Sequence, residues 1–278
     1  VHRLYAINAN SGALMWRYPE DGPLETVINT SPAVADGVIF IGSVNGELTA
    51  IDTSDGHKLW TFVTKSIISA SPIVNDGVVY FGTANGKLYA VDAKTHVEVG
   101  PWKGGVQLSD EISGTPAIGN DNVYVITLDS VIHAIGVATG KERAAVRLSG
   151  ATLHMSPVVT PDFVYAAAGS NIYYLMSRNL SVRRSTQLPA EVSSSLTVTE
   201  DGVYAIGRDG QVVGLDPRTA KLKWKQVPKI DFDVTAAPAV SGKTLFIGTA
   251  RGGVYGIDTD SGEIKWTYKM VPATNRED

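Results

Sequence analysis

Short apolar runs alternate with polar turn signals along this chain at nearly constant spacing. The clearest stretch lies between Ser71 and His96 and reads "SPIV", "NDG", "VVYFGT", "ANG", "KLYAVD" and "AKTH", followed by a segment that reaches Trp102. Each apolar run has strand length, and Asn-Gly and Asp-Gly supply the positive φ that tight hairpins demand. The pattern therefore predicts four consecutive antiparallel strands. The layout recurs: Ser31-Pro32, Ser71-Pro72, Thr115-Pro116, Ser156-Pro157 and Ala237-Pro238 fall in register, and Ser195-Leu196 fills the remaining slot. The steps between them are 40, 44, 41, 39 and 42 residues.

A repeat of this length with four strands per unit predicts an all-β chain folded as a β-propeller of four-stranded antiparallel blades. Proline cannot donate a ladder hydrogen bond, so it suits the start of an edge strand. The register prolines are accordingly expected on the innermost strands, facing a central channel. A second signature, A-x-D-x-x-x-G-x-x-x-W, spans the turn between the third and fourth strands, as in "AIDTSDGHKLW" at 50–60. Asp52 can cap that turn, Gly56 can take the left-handed conformation, and Trp60 is expected to project from the outer strand onto the neighbouring blade.

These residues resemble the PQQ-like (quinoprotein-type) β-propeller repeats and their tryptophan-docking motif. The match is full at Ala50, Asp52, Gly56 and Trp60 and holds at Asp258, Gly262 and Trp266. At Asp216 and Trp224, Ala220 replaces the glycine, and at Ala90, Asp92 and Trp102 two residues are inserted. Two adjacent units depart: "AIGVATGKERA" carries Gly136 and Ala144 at the Asp and Trp positions, and "LMSRNLSVRRS" keeps almost nothing. Six full repeats run from Pro32 to Trp266 after an N-terminal half repeat, "LYAINANSGALMW". We expect one seven-bladed propeller domain over 1–278, an eight-bladed parent being the alternative.

The 24 Lys and Arg residues against 28 Asp and Glu give a net charge of -4, which offers no field for nucleic acid. Cysteine is absent, which removes disulfides, thiolate metal sites and cysteine nucleophiles. No apolar run approaches the ~20 residues of a membrane helix. The chain opens on "VHRLYAIN", so any signal peptide is expected to have been removed or to lie outside it.

Quinoprotein dehydrogenases of similar fold hold a quinone and a calcium or lanthanide ion, often under a vicinal disulfide. This chain cannot form that disulfide and shows no insertion that would build the pocket, so neither PQQ with Ca²⁺ nor any other cofactor is expected. "DTDSG" at 258–262 and "NANSG" at 8–12 resemble the opening of a calcium loop, but the twelfth positions are Lys269 and Pro19 instead of Glu. They read as Asx-stabilised turns, and no metal site is expected. Serine-hydrolase, zinc-protease and phosphate-loop motifs are missing, so no catalytic residue is assigned.

The remaining candidates precede the inner strands, at the channel mouth: Asn29, Ser69, Glu111, Ser113, His154, Ser194, Asp233 and Thr235. Hydroxyls, carboxylates and one titratable imidazole could bind a polar ligand; the alternative is a water-filled funnel. His133 fills the slot of Tyr89 and reads as a packed aromatic substitute. "RNLSVRRS" gathers Arg178, Arg183 and Arg184 on an acidic chain, either as a solvated edge or as a partner surface. The resemblance extends to an outer-membrane assembly lipoprotein scaffold and to receptor-kinase sensor propellers. It implies a non-catalytic, extracytoplasmic interaction or ligand-sensing module whose partner is another protein or a small polar ligand. The competing reading is a quinoprotein-like or other enzyme with a site at the channel mouth.

Overall fold

Runs such as "VIFIG" and "VVYFG" are apolar at every position, which a strand tolerates only when both of its faces are covered. The computed structural model describes residues 3–22, 26–152, 155–231, 234 and 236–269, and shows such strands in two compact units, Val1–Arg147 and Leu148–Asp278.

The first unit holds four antiparallel sheets. Sheet 1 is the hairpin β1 (Leu4–Ile7) and β2 (Leu14–Tyr18). Sheet 2 contains β3 (Ala33–Ala35), β4 (Val38–Gly42), β5 (Glu47–Asp52) and β6 (Lys58–Val63). Sheet 3 contains β7 (Ile73–Asn75), β8 (Val78–Gly82), β9 (Lys87–Asp92) and β10 (Val106–Gln107). Sheet 4 contains β11 (Ala117–Gly119), β12 (Asn122–Ile126), β13 (Val131–Gly136) and β14 (Glu142–Arg147).

The second unit holds three sheets. Sheet 5 contains β15 (Val158–Val159), β16 (Phe163–Ala168), β17 (Asn171–Met176) and β18 (Val182–Gln187). Sheet 6 contains β19 (Thr197–Val198), β20 (Val203–Ile206) and β21 (Val212–Leu215). Sheet 7 contains β22 (Ala239–Ser241), β23 (Thr244–Gly248), β24 (Gly253–Asp258) and β25 (Ile264–Lys269). Every sheet is ordered as its strands follow in sequence, so each repeat is a meander.

The seven sheets match the seven-bladed, half-plus-six reading, with two local departures from four regular strands. In sheet 3, Pro101 and the Gly104-Gly105 pair replace the expected outer strand by a 3-10 turn at Gly100–Trp102 and a short β10. In sheet 6 the fourth segment pairs only through isolated bridges at Leu215–Leu222 and Gln211–Lys229, so its outer strand is not formed.

Period-two alternation explains the burial. Ile39, Ile41 and Ile51 pack with Trp16 of sheet 1, whereas Phe40, Leu48 and Ala50 pack with Val79, Phe81, Tyr89 and Val91 of sheet 3. The opposite faces of those sheet 3 strands, through Tyr80, Leu88 and Ala90, meet Val123, Val125 and Ile135 of sheet 4. In the second unit, Tyr204, Ile206 and Val212 meet Leu245, Ile247, Tyr255 and Ile257. Middle strands are thus buried on both faces, while outer strands such as β18 and β25 are almost wholly exposed.

Candidate functional site

Three arrangements could carry function: the joints between sheets, a polar cluster in sheet 4, and the loops that lead into the inner strands.

The joints follow one scheme. In all seven sheets a backbone N–H returns to the carbonyl four residues earlier, at Gly12, Gly56, His96, Gly140, Leu180, Ala220 and Gly262, and each of these residues has positive φ. Where an Asx residue opens the turn, its side chain caps it; Asp52 Oδ1 accepts from Ser54 N–H at 2.7 Å and Asp216 Oδ1 from Thr219 N–H at 2.6 Å. Such bonds favour the ionised form and hold the Asp52, Asp92 and Asp216 carboxyls below the ordinary carboxylate value; Asp258 lies below it first through its bond from Lys265 and then through the turn N–H groups.

Onto these turns the preceding sheet places an indole. Trp16 Nε1 donates to Thr53 O (2.8 Å), Trp60 to Ala93 O (3.2 Å), Trp102 to Val137 O (2.8 Å) and Trp224 to Thr259 O (3.1 Å). A Cβ at Gly56 would lie 2.5 Å from the Trp16 ring, and one at Gly262 would lie 2.6 Å from Trp224. The glycine is therefore required twice, for its φ and for the indole above it. His96 holds that position in sheet 3, where it is exposed, and its ring meets Trp60 with centroids 5.8 Å apart.

The degenerate unit "LMSRNLSVRRS" is one residue out of register in the sequence reading. Met176, Leu180 and Arg184 stand at the Asp, Gly and Trp positions, because Tyr174 pairs with Arg184 as Ala50 pairs with Trp60. Its joint is rebuilt with tyrosines. Tyr165 Oη donates to Pro217 O at 3.1 Å, the carbonyl equivalent to Thr53 O, and Tyr174 Oη donates to Asp216 O at 3.4 Å. Their rings pack edge to face, 5.0 Å apart. Burial, with Tyr165 and Asp216 nearby, raises the Tyr174 pKa, keeping it a neutral donor. Thr186 Oγ1 adds a bond to Ala220 O at 2.7 Å. The sequence motif could not reveal these tyrosines, since Tyr165 lies on β16, outside its window, and Tyr174 fills its alanine position only in the corrected register.

His133 is buried in the slot equivalent to Tyr89, but both of its nitrogens have polar neighbours. Nδ1 lies 2.6 Å from Glu142 Oε1, and Nε2 lies 3.1 Å from Thr127 Oγ1 and 3.3 Å from Ser109 Oγ. Both hydroxyls donate to Asp129 Oδ1, and Arg147 Nη2 lies 3.1 Å from Asp129 Oδ2. Burial opposes ionisation of Asp129, but the bonds from Thr127, Ser109 and Arg147 outweigh it and lower its pKa. Charge and hydrogen bonding are thus satisfied inside one sheet, as a fixed polar plug requires.

Among the inner-strand loops, main-chain bonds define the register. Val44, Ala84, Leu128 and Arg208 N–H groups donate to the carbonyls of Val27, Ile67, Glu111 and Glu191. Asn29, Ser69 and Ser113 are thereby equivalent, and the fourth member is Ser193, not Ser194. Ser193 shares the Ser69 pattern, with N–H to Ile206 O at 2.8 Å, whereas Ser194 is 3% exposed and faces inward like Thr30 and Ala70. Asn29 is exposed, Ser69 and Glu111 are half-buried, and Ser113 is buried. His154, Asp233 and Thr235 lie outside the described residues. Several hydroxyls link neighbouring sheets: Ser69 Oγ donates to Ile112 O (2.9 Å), and Ser71 Oγ and Ser195 Oγ accept from Ser31 and Ser156 N–H (both 2.9 Å). The shared Ser-Pro element thus joins sheets as well as opening strands.

Among the described residues, no three His, Asp or Glu side chains converge on a point where a metal ion could be held. They do not supply the carboxylate set that a calcium-bound quinone requires. No helix among the described residues is long and apolar enough to cross a membrane.

Serial four-stranded meanders, buried on both faces and joined by indoles over left-handed turns, define a β-propeller built from PQQ-like repeats. The chain belongs to the family described as outer membrane protein assembly factor BamB, whose family model matches residues 1–184 and 181–278. It is 23% identical to the BamB of Moranella endobia over 98% of its own length and 61% of that protein. It is also 29% identical to quinohemoprotein alcohol dehydrogenase ADH IIB of Pseudomonas putida, over 44% of this chain and 18% of that one. The chain thus spans about three fifths of the first relative and a smaller part of the second. The crystal structure of BamB from Moraxella catarrhalis superposes with a TM-score of 0.74 at 18% identity, covering 88% of this chain and 78% of that one, which establishes the shared fold.

Proposed function

We propose that residues 1–278 act as one propeller domain serving as a non-catalytic, extracytoplasmic scaffold in outer-membrane protein assembly. Its partner is another protein, engaged by the loops that lead into the inner strands. The observation that carries this reading is the BamB-family match across the whole chain. The geometry is compatible with it: main-chain bonds hold these loops at fixed register, and Asn29, Ser69 and Glu111 present polar groups from them. Rigid scaffolds commonly present recognition residues on such loops. His154, Asp233 and Thr235 complete the proposed surface as the sequence placed it, Ser193 joins it by register, and Ser113 and Ser194, both buried, support it from beneath.

The test is site-specific photocrosslinking in the native host, with the probe at Asn29, Ser69 or Glu111 and, as a control, at Lys58 on the opposite sheet edge. A discrete adduct with an outer-membrane assembly component, formed from the loop positions and not from Lys58, is expected. Adducts of equal yield from both edges would overturn the assignment. A saturable thermal shift with pyrroloquinoline quinone and Ca²⁺ would favour the quinoprotein reading instead.

A further inference from the structure

We infer that the outer edge of sheet 5 is a second interaction surface, which takes an extended acidic peptide segment of a partner protein. The surface exists because the joint beside it was rebuilt. In sheets 2 and 6 the residue at the Trp position is an indole committed to the next sheet, as Trp60 and Trp224 show. In sheet 5 the Tyr165 and Tyr174 hydroxyls take the carbonyls of Pro217 and Asp216. Arg184, in the Trp position, is released to solvent.

Arg184 borders a groove of about 580 Å³ with Arg178, Arg183 and Arg218, floored in part by Phe163. Asp162 is the one carboxylate among its lining residues. Some cations on other outer strands are neutralised within their own sheets, as in the Arg147–Asp129 pair at 3.1 Å and the Lys265–Asp258 pair at 2.8 Å; Lys58 and Arg143 form no ion pair among the described residues, but neither lies in a cluster of guanidinium groups around one groove. Arg178, Arg183 and Arg184 form no ion pair among the described residues. Four guanidinium groups on a chain of net charge -4 make a local field opposite in sign to the whole.

The strand beside the groove supplies the second element of recognition. β18 is the edge strand of its sheet, and β15 is the opposite edge, next to the loops discussed above. Its side chains other than Thr186 are exposed, and as an edge strand it offers its outward N–H and C=O groups to a further strand. Charges on an edge also discourage self-association. A guard against self-pairing, however, needs charge only along the strand, whereas Arg178 and Arg218 come from separate turns and border the same groove. An extended peptide can pair with β18 while its carboxylates reach guanidinium groups on both sides, a geometry suited to bidentate pairing.

The proposal is independent of the scaffold reading, because it uses the opposite edge of the sheet. The test is fluorescence anisotropy of a labelled peptide of alternating Glu and Val, titrated with the whole chain at low and high salt. Saturable binding that weakens as salt screens the charges is expected. Arg183→Ala with Arg184→Ala should weaken it about tenfold, the size that two exposed charge pairs together supply. Arg143→Ala on β14 should leave it unchanged. Both variants should keep the parent circular dichroism and melting midpoint, since these side chains are exposed. N-methylation of alternate peptide bonds should abolish binding. Equal binding by the double variant, or undiminished binding of the methylated peptide, would overturn the proposal. Arginine-dependent binding to phosphatidylglycerol vesicles without peptide binding would also overturn it, in favour of a membrane surface.

Discussion

Replacing Trp102 by alanine tests whether the indole joints hold neighbouring sheets together. Trp102 is 0% exposed, packs edge to face on Tyr80 with centroids 5.5 Å apart, and donates to Val137 O of the next sheet. Removing a buried Trp to alanine costs about 3–5 kcal/mol through lost transfer energy and the cavity left behind. The hydrogen bond accounts for about 1 kcal/mol of that, because Val137 is half-buried and water can reach part of its surface. Trp102→Phe, which keeps a ring and loses the donor, should therefore cost about 1–2 kcal/mol. Trp266 is the internal control. It is 41% exposed, makes no indole hydrogen bond among the described residues, and packs on Phe246 of its own sheet. Trp266→Ala should cost about 1 kcal/mol or less, the size of a cross-strand pair. Urea unfolding followed by far-ultraviolet circular dichroism would give the three values, and amide exchange at Val137 and Gly140 would report whether the joint opens locally. Equal losses from Trp102→Ala and Trp266→Ala, or a Trp102→Phe loss as large as Trp102→Ala, would refute the reasoning.

Gly262→Ala should destabilise by several kcal/mol, since its Cβ would sit 2.6 Å from the Trp224 ring at φ +80, while Gly12→Ala meets nothing within 4 Å and should cost only the ~1–2 kcal/mol of left-handed strain; chemical denaturation of both would show the gap. Ala220→Gly relieves positive φ at a turn where no indole stacks and should raise stability by up to about 1 kcal/mol, read as a higher urea midpoint. Tyr165→Phe should cost about 0.5–1.5 kcal/mol through loss of its bond to Pro217 O, whereas the same change at Tyr173, which bonds from β17 to Ser149 in the segment leading into its own sheet, should leave exchange protection at Arg218 and Thr219 unaltered. Because the Asp129 pKa is lower in the folded state, its contribution is fully present above the ordinary carboxylate value of about 3.9 and is lost as pH falls through the folded value. Asp129→Asn should thus be less stable than the parent at neutral pH, with the difference shrinking below about pH 4 in acid titrations of the urea midpoint.

Repetition made the architecture legible. The turn, the left-handed position and the indole recur in chain order, so a single sequence displays the joint several times. Local capping was equally readable, because Asp52 and Asp216 bond within three residues of themselves. Legibility failed where a contact left that window. Tyr165 and Tyr174 substitute for a tryptophan from other strands, and the displaced register at Met176, Leu180 and Arg184 concealed which residue they replace. His133 read as an aromatic substitute because the slot is apolar in sheet 3; Glu142, nine residues away, becomes its partner only when β14 pairs with β13. Counting two residues back from Ser195-Leu196, as from Ser71-Pro72 to Ser69, already selects Ser193, and the Val192–Gly207 bridge agrees, leaving Ser194 to face inward.

By itself, then, the sequence determined the strands, their turns, the repeat and the family, because these depend on backbone conformation and on neighbours a few residues apart. Tertiary structure alone decided which hydroxyls became links between sheets, which aromatic groups closed the degenerate joint, and which arginines gathered around one groove with no ion pair among the described residues. Those outcomes depend on pairing across tens of residues, where a shift of one position turns a side chain to the opposite face of its strand.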